Sequence, residues 1–183
     1  IPYDLPYRQP SSSHKLLFAG RLVPEKGLAH LLRALVNIGV PWHLVVAGDG
    51  EARDPCLALA RQLGFADRVE FVGWLNPQML ADVYDECAFT VVPSLWPELF
   101  GRVGPESFAH GRPVIAFAVG GIPEWLEDGR TGLLVKPGSV HGLANAIKQM
   151  LTDVDSCRRM GQECLRVAKQ RFTAQSHMER LLG

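Results

Sequence analysis

The chain lacks a long apolar run, a net charge and any metal-binding spacing of cysteine or histidine. No stretch reaches the ~18 apolar residues of a membrane-spanning helix, so none is expected. Lys plus Arg number 19, as do Asp plus Glu. This balance leaves no general field for drawing in nucleic acid or an acidic membrane, although it permits a local basic site. The four cysteines, Cys56, Cys87, Cys157 and Cys164, form no Cys-x-x-Cys pair, which removes the usual zinc frameworks. They read as buried free thiols in a reducing cytosol. Cys157 and Cys164 share one face of a predicted helix without bonding. A Gly-x4-Gly-Lys-Ser/Thr loop is missing, and no Ser-His-Asp ordering stands out. Gly48-x-Gly50 fails as a dinucleotide fingerprint because Arg53 stands where the third glycine belongs, so it reads as a turn. The start, Ile1-Pro2-Tyr3-Asp4, has neither an initiator Met nor a signal-peptide pattern, and the chain is read as a fragment or a processed product.

What is present is an alternation. Apolar residues make up 47% of 183 positions, enough for the core of one domain. Residues 1–13, rich in Pro and Ser, read as a leader or linker, and residues 14–183 as one domain. Lys15–Ala19, His43–Ala47, Val69–Val72, Phe89–Val92, Val114–Phe117 and Leu133–Val135 read as buried strands. Between them, helical spacing recurs at Leu28, Leu31, Leu32 and Leu35, at Pro55 to Leu63, and after the Asn76-Pro77 start, whose Asn is a cap and whose Pro suits a first turn. Ser139 caps a helix through Leu151. A further helix covers about 155–170, and another follows Phe172-Thr173. Alternating strands and helices predict an α/β fold: a Rossmann-like α/β/α sandwich with about six parallel strands. Ligands of such sheets bind outside the carboxyl ends of the strands. Gly20-Arg21, Gly48, Gly73, Ser94 to Gly101 and Gly120-Gly121 all fall there.

The most informative stretch is Glu98-Leu99-Phe100-Gly101-Arg102-Val103-Gly104-Pro105-Glu106, two carboxylates separated by seven residues across a loop-to-helix junction. The backbone N–H groups of Phe100 to Val103, with Gly101 allowing close approach, suit an anion. Flanking carboxylates suit hydroxyls on either side of that anion. A nucleotide-sugar has that layout: ribose diol, diphosphate, sugar hydroxyls. Glu106 is assigned to the ribose diol and Glu98 to the donor sugar. Pro105 belongs in a first helical turn, which sets the helix start near Val103 or Gly104. Arg21 and Lys26, just past the first strand, are fixed cations able to neutralise a leaving diphosphate without a metal. Taken alone, each of these residues also reads as an ordinary surface charge. Trp74 and Trp96 sit in loops that border the site; loop tryptophans more often serve packing, and that is their default reading. His110 reads as structural.

The Glu-x7-Glu pattern resembles the donor-binding half of retaining, two-Rossmann-domain (GT-B) glycosyltransferases. Phe18 to Gly27, Val69 to Gly73, Gly120-Gly121-Ile122-Pro123-Glu124 and Asp128 to Val135 match that family in order, over roughly residues 15 to 138. The resemblance implies a hexosyltransferase parent that uses a nucleoside-diphosphate sugar and no cofactor or metal. It implies catalytic roles for Arg21, Lys26 and Glu98. Donor contacts are implied from Gly20, Gly73, Phe100, Gly101, Arg102, Val103, Glu106, Gly120 and Gly121. Ile1 to Asp4 resembles the end of an interdomain connection, and Phe172 onward the helix that crosses back. The acceptor domain would precede this chain, so the fragment is expected to bind donor without turnover. The cytoplasm is expected, with the parent at the inner membrane face, peripherally attached through the missing domain, and no nucleic acid as partner. One departure is Leu99, where the family often has Gly; its side chain narrows the sugar pocket, or the loop tolerates it. A non-catalytic nucleotide-sugar-binding module and a sugar-nucleotide epimerase of the same architecture are the alternatives. Arg21, Lys26 and the glutamate pair argue against the epimerase.

Overall fold

The computed structural model describes residues 7–10, 14–97 and 101–171. Glu98, Leu99, Phe100 and the helix expected after Phe172 lie outside the described residues. Six strands, β1 (Lys15–Ala19), β2 (His43–Ala47), β3 (Val69–Gly73), β4 (Phe89–Val92), β5 (Val114–Phe117) and β6 (Gly132–Val135), form one sheet in the order β3-β2-β1-β4-β5-β6. Every neighbouring pair is parallel. The chain therefore winds outward from β1 in one direction and from β4 in the other. Their boundary is the point where such sheets open a crevice.

The crossovers are α1 (Leu28–Ala34), α2 (Arg53–Gln62), α3 (Pro77–Glu86), α4 (Val103–Ala109) and α5 (Ile122–Trp125), followed by α6 (Val140–Thr152) and α7 (Val154–Arg171). Strand alternation sorts the core into two sides. Leu16, Phe18, Leu44, Val46, Ile115 and Phe117 face the helices that carry Leu28, Leu31, Leu32, Leu143 and Ile147. Leu17, Val45 and Ala47 face Tyr84 and Cys87 of the α3 region on the other side, where Val114 and Ala116 face Phe108, Trp125 and Cys164.

The cap readings hold in detail. Asn76 Oδ1 accepts from the Met79 N–H at 2.9 Å, and Ser139 Oγ accepts from the Gly142 N–H at 3.0 Å. The short α5 is an addition to the expected elements, as are single 3-10 turns at Pro24–Lys26 and Ala66–Arg68. Each has three or four residues, too short to show a hydrophobic period. All four cysteines are free and buried. Tyr7, within the stretch read as a leader, packs against the α4–α7 contact: a Cβ on Gly111 would stand 2.9 Å from its ring and one on Gly161 3.1 Å.

Candidate donor-binding cleft

The crevice lies at the carboxyl ends of β1, β2 and β4. Its inner part, a cavity of ≈ 180 Å³, is lined by Gly20, Arg21 and Lys26 on the β1 side and by Pro93, Ser94 and Gly101 to Gly104 on the β4 side. Its outer part, ≈ 570 Å³, runs on past Gly48, Trp74, Leu75 and Leu80 to Arg102 and Glu106. Both parts share Arg21, Arg102 and Val103, so they are one continuous groove.

The β1 side is held by backbone pairing that continues beyond the strands. Gly20 N–H donates to Ala47 O at 2.9 Å, Leu22 N–H to Asp49 O at 2.8 Å and Gly48 N–H to Gly73 O at 2.7 Å. These loops touch so closely that a Cβ on Gly48 would lie 1.9 Å from Gly20 O, at a φ of +134° that disfavours other residues. The turn at Pro24–Lys26 then swings Lys26 toward β4. Leu95 N–H donates to Glu25 O at 2.8 Å, tying this turn to the loop after β4.

On the β4 side, α4 is anchored from beneath. Ser107 Oγ pairs with Thr90 Oγ1 at 2.7 Å and donates to the Arg112 carbonyl at 3.0 Å, both buried. The ring of Trp125 closes the floor of the cavity, lying so close to α4 that a Cβ on Gly104 would meet it at 2.2 Å. Phe108 meets Trp125 edge to face at 5.6 Å. The helix begins at Val103, as Pro105 requires, but has only seven residues. Its dipole is correspondingly short, and the lining cations carry more of the site's positive potential than the helix end does.

Glu106 lies one turn into α4 with its side chain 18% exposed; Arg102 reaches it at 3.1 Å from the solvent side. Behind it, α3 presents Tyr84, whose phenol is pushed well above its ordinary range by burial first and by the neighbouring Glu106 carboxylate second.

The structure thus brings Gly20, Arg21, Lys26, Gly101, Arg102, Val103 and Glu106 to one groove. Gly73 stands behind it, supporting Gly48 through its carbonyl. Gly120 and Gly121 precede α5, whose Ile122 and Trp125 do the lining. The Trp74 and Trp96 packing reading is corrected: their residues are 67% and 69% exposed, and Trp74 borders the outer groove. His110 is structural as read, with Nδ1 2.9 Å from Asp85 Oδ1 and its ring stacked on Tyr84. Ser94, read as part of the candidate loop, lines the inner cavity, whereas sequence reasoning missed Trp125 in its floor and Tyr84 behind its wall. Each reads as core in a linear pattern, and no spacing signal distinguishes a core aromatic beneath a cleft from any other.

A family model for glycosyl transferases group 1 matches residues 6–165. The chain belongs to this family. Among its group 1 relatives, an uncharacterized glycosyltransferase of Methanocaldococcus jannaschii is 36% identical over 141 residues, 75% of this chain and 36% of that protein. Sucrose-phosphate synthase of Thermosynechococcus elongatus superposes with a TM-score of 0.84 at 32% identity, over 95% of this chain and 46% of that one. The Anabaena protein HepE, solved in complex with UDP-glucose, superposes with a TM-score of 0.81 at 31% identity, over 91% of this chain and 48% of that one. The chain therefore spans between about a third and a half of the proteins it matches, with the Rossmann-like sheet of a GT-B glycosyltransferase.

Proposed function

We propose that this chain is the donor-binding domain of a retaining glycosyltransferase that passes a hexosyl unit from a nucleoside-diphosphate sugar to an acceptor hydroxyl. The observation that carries the reading is the groove itself. It opens where the strand order reverses, with Arg21 and Lys26 on one wall and Gly101 to Glu106 on the other. A diphosphate between these walls meets two cations that stabilise the charge released as the sugar leaves. Glu106 accepts the ribose diol in the outer groove, and Glu98 the sugar hydroxyls. The cations serve in place of a metal. The acceptor site belongs to a second Rossmann domain, so the chain as it stands binds donor and transfers nothing. We place the parent enzyme in the cytoplasm at the inner membrane face, in keeping with four free thiols.

Titration calorimetry with UDP, GDP and ADP, each with chelator present, tests this. At least one is expected to bind, and Arg21→Ala with Lys26→Ala to abolish binding while the protein stays folded. No binding of any of the three to folded protein overturns the reading, and binding only with magnesium overturns its metal-free part.

A further inference from the structure

The diphosphate and ribose take up only part of the groove. Ala47, Gly48, Trp74, Leu75, Leu80 and Glu106 line the outer part alone, beyond the junction at Arg21 and Arg102 that it shares with the inner cavity. Of these six only Glu106 is charged, and none carries a hydroxyl or an amide side chain. Leu75 and Leu80 pack back onto the core around Leu17, Val45 and Tyr84, so their wall is fixed. Trp74 beside them stays 67% exposed. An indole left open to water along a cleft gains when a flat apolar group covers it.

A nucleobase is such a group. With the diphosphate at the junction and the ribose on Glu106, the base falls in the same ≈ 570 Å³ space as the indole. It finds few groups there that read its edge. The main chain is engaged within the fold: Gly20 N–H donates to Ala47 O at 2.9 Å and Gly48 N–H to Gly73 O at 2.7 Å. The indole N–H lies in the ring plane, out of reach of a base stacked on the ring's face. Strong discrimination between bases takes hydrogen bonds from polar groups that a wrong base leaves unpaired. Stacking discriminates little, because every base has a π-face.

We propose that Trp74 is the stacking platform for the donor's base and that the site holds the base by its face, so the domain accepts uracil, guanine and adenine nucleotides alike. This rests on the reading of the groove as a diphosphate and ribose site. Donor choice is then made at the sugar end of the groove and not at the base.

The test is calorimetry on the whole chain with UDP, GDP, ADP and ribose 5-diphosphate, which lacks the base. The three nucleotides are expected to bind within about tenfold of one another. Trp74→Ala is expected to weaken each of them about tenfold or more, the scale of one base stack, and to leave the abasic probe unchanged. Trp74→Phe keeps an aromatic face and is expected to retain most of the affinity. Undiminished nucleotide binding by Trp74→Ala overturns the inference and leaves the reading of the groove standing. So does equal weakening of the abasic probe, which shows a merely structural effect. Trp74→Phe as weak as Trp74→Ala overturns the stacking, and a preference for one base of about a hundredfold or more overturns the tolerance. If no nucleotide binds to folded wild-type protein, both readings fall together. Should Trp74→Ala not fold, or the abasic probe bind too weakly for calorimetry, 5-fluorotryptophan in place of the four tryptophans provides the measurement. The fluorine resonance that Trp74→Phe removes is expected to shift with UDP but not with the abasic probe; a resonance unmoved by UDP overturns the inference.

Discussion

Three kinds of residue shape the groove: the charges that face it, the small residues that let its walls approach, and the polar groups sealed behind them. The charges give the sharpest expectation. Glu106→Ala should weaken bare nucleoside diphosphate and nucleotide-sugar alike by roughly tenfold or more, since a hydrogen bond to a charged group is worth about 1.5–3 kcal/mol. Glu98→Ala should spare the bare diphosphate and remove only the added affinity of the sugar. Calorimetry on folded variants checks both; equal loss of UDP in the two would cancel the division of roles. For the small residues, a Cβ at Gly48 collides with a backbone carbonyl that cannot rotate away. Gly48→Ala should therefore destabilise the protein by about 2–4 kcal/mol, read from urea unfolding. The buried thiols set a pH limit. Burial pushes Cys87 and Cys157 from 9.0 up to about 12. In the unfolded chain they ionise near pH 9, whereas in the fold they stay protonated. Their contribution to stability is therefore full below about pH 9 and declines as pH rises toward about 12, by roughly 1 kcal/mol per thiol at about pH 10. A melting temperature unchanged between about pH 8 and 10 would contradict this.

Among the elements, α3 shows how far local sequence reaches. Asn76-Pro77 announces its start, and the Asn76 cap forms as read; Asn76→Ala should cost about 1 kcal/mol by thermal unfolding. Its end was not legible. Arg112, 36 residues beyond Asn76 and fully buried, closes the last turn by donating to the carbonyls of Tyr84 and Asp85. A pairing so distant in the chain leaves no periodic trace. Strands were legible almost to the residue because each is a short apolar run between glycines and turn formers, the pattern of a sheet covered on both faces. The site divides along the same line. Arg21 and Lys26 were readable from their place just past β1, and Glu106 from its spacing to Glu98, although each charge alone reads as an ordinary surface residue. Trp125 and Tyr84 were not, because only the packing of α3, α4 and α5 decides that these core residues stand in the floor of the groove or behind its wall. The exposed Trp74 escaped its packing reading for a related reason: β3 is the edge strand, and the loop that follows it has a neighbour on one side only.

At the scale of the whole molecule, the sheet has a seam. β1 runs in register with β2 from Lys15–His43 to Ala19–Ala47, but with β4 only at Leu16–Phe89 and Leu17–Thr90. The seam divides the chain into a half ending near Ala88 and a half beginning there, and the groove draws its two walls from opposite halves. Arg21 and Lys26 ride on one, Gly101 to Glu106 on the other. A ligand spanning the groove therefore acts as a staple. It binds the closed arrangement and not the parted one, so it opposes parting by about 2.7 kcal/mol at a hundredfold excess over its Kd. Amide hydrogen exchange should record this unevenly. Nucleoside diphosphate should slow exchange most along β1 and β4 and least along the outer β3 edge, where partial openings leave the groove intact. Stiffening would then follow the seam beyond the groove's outline, reaching Leu16, Leu17, Phe89 and Thr90, which line neither of its parts.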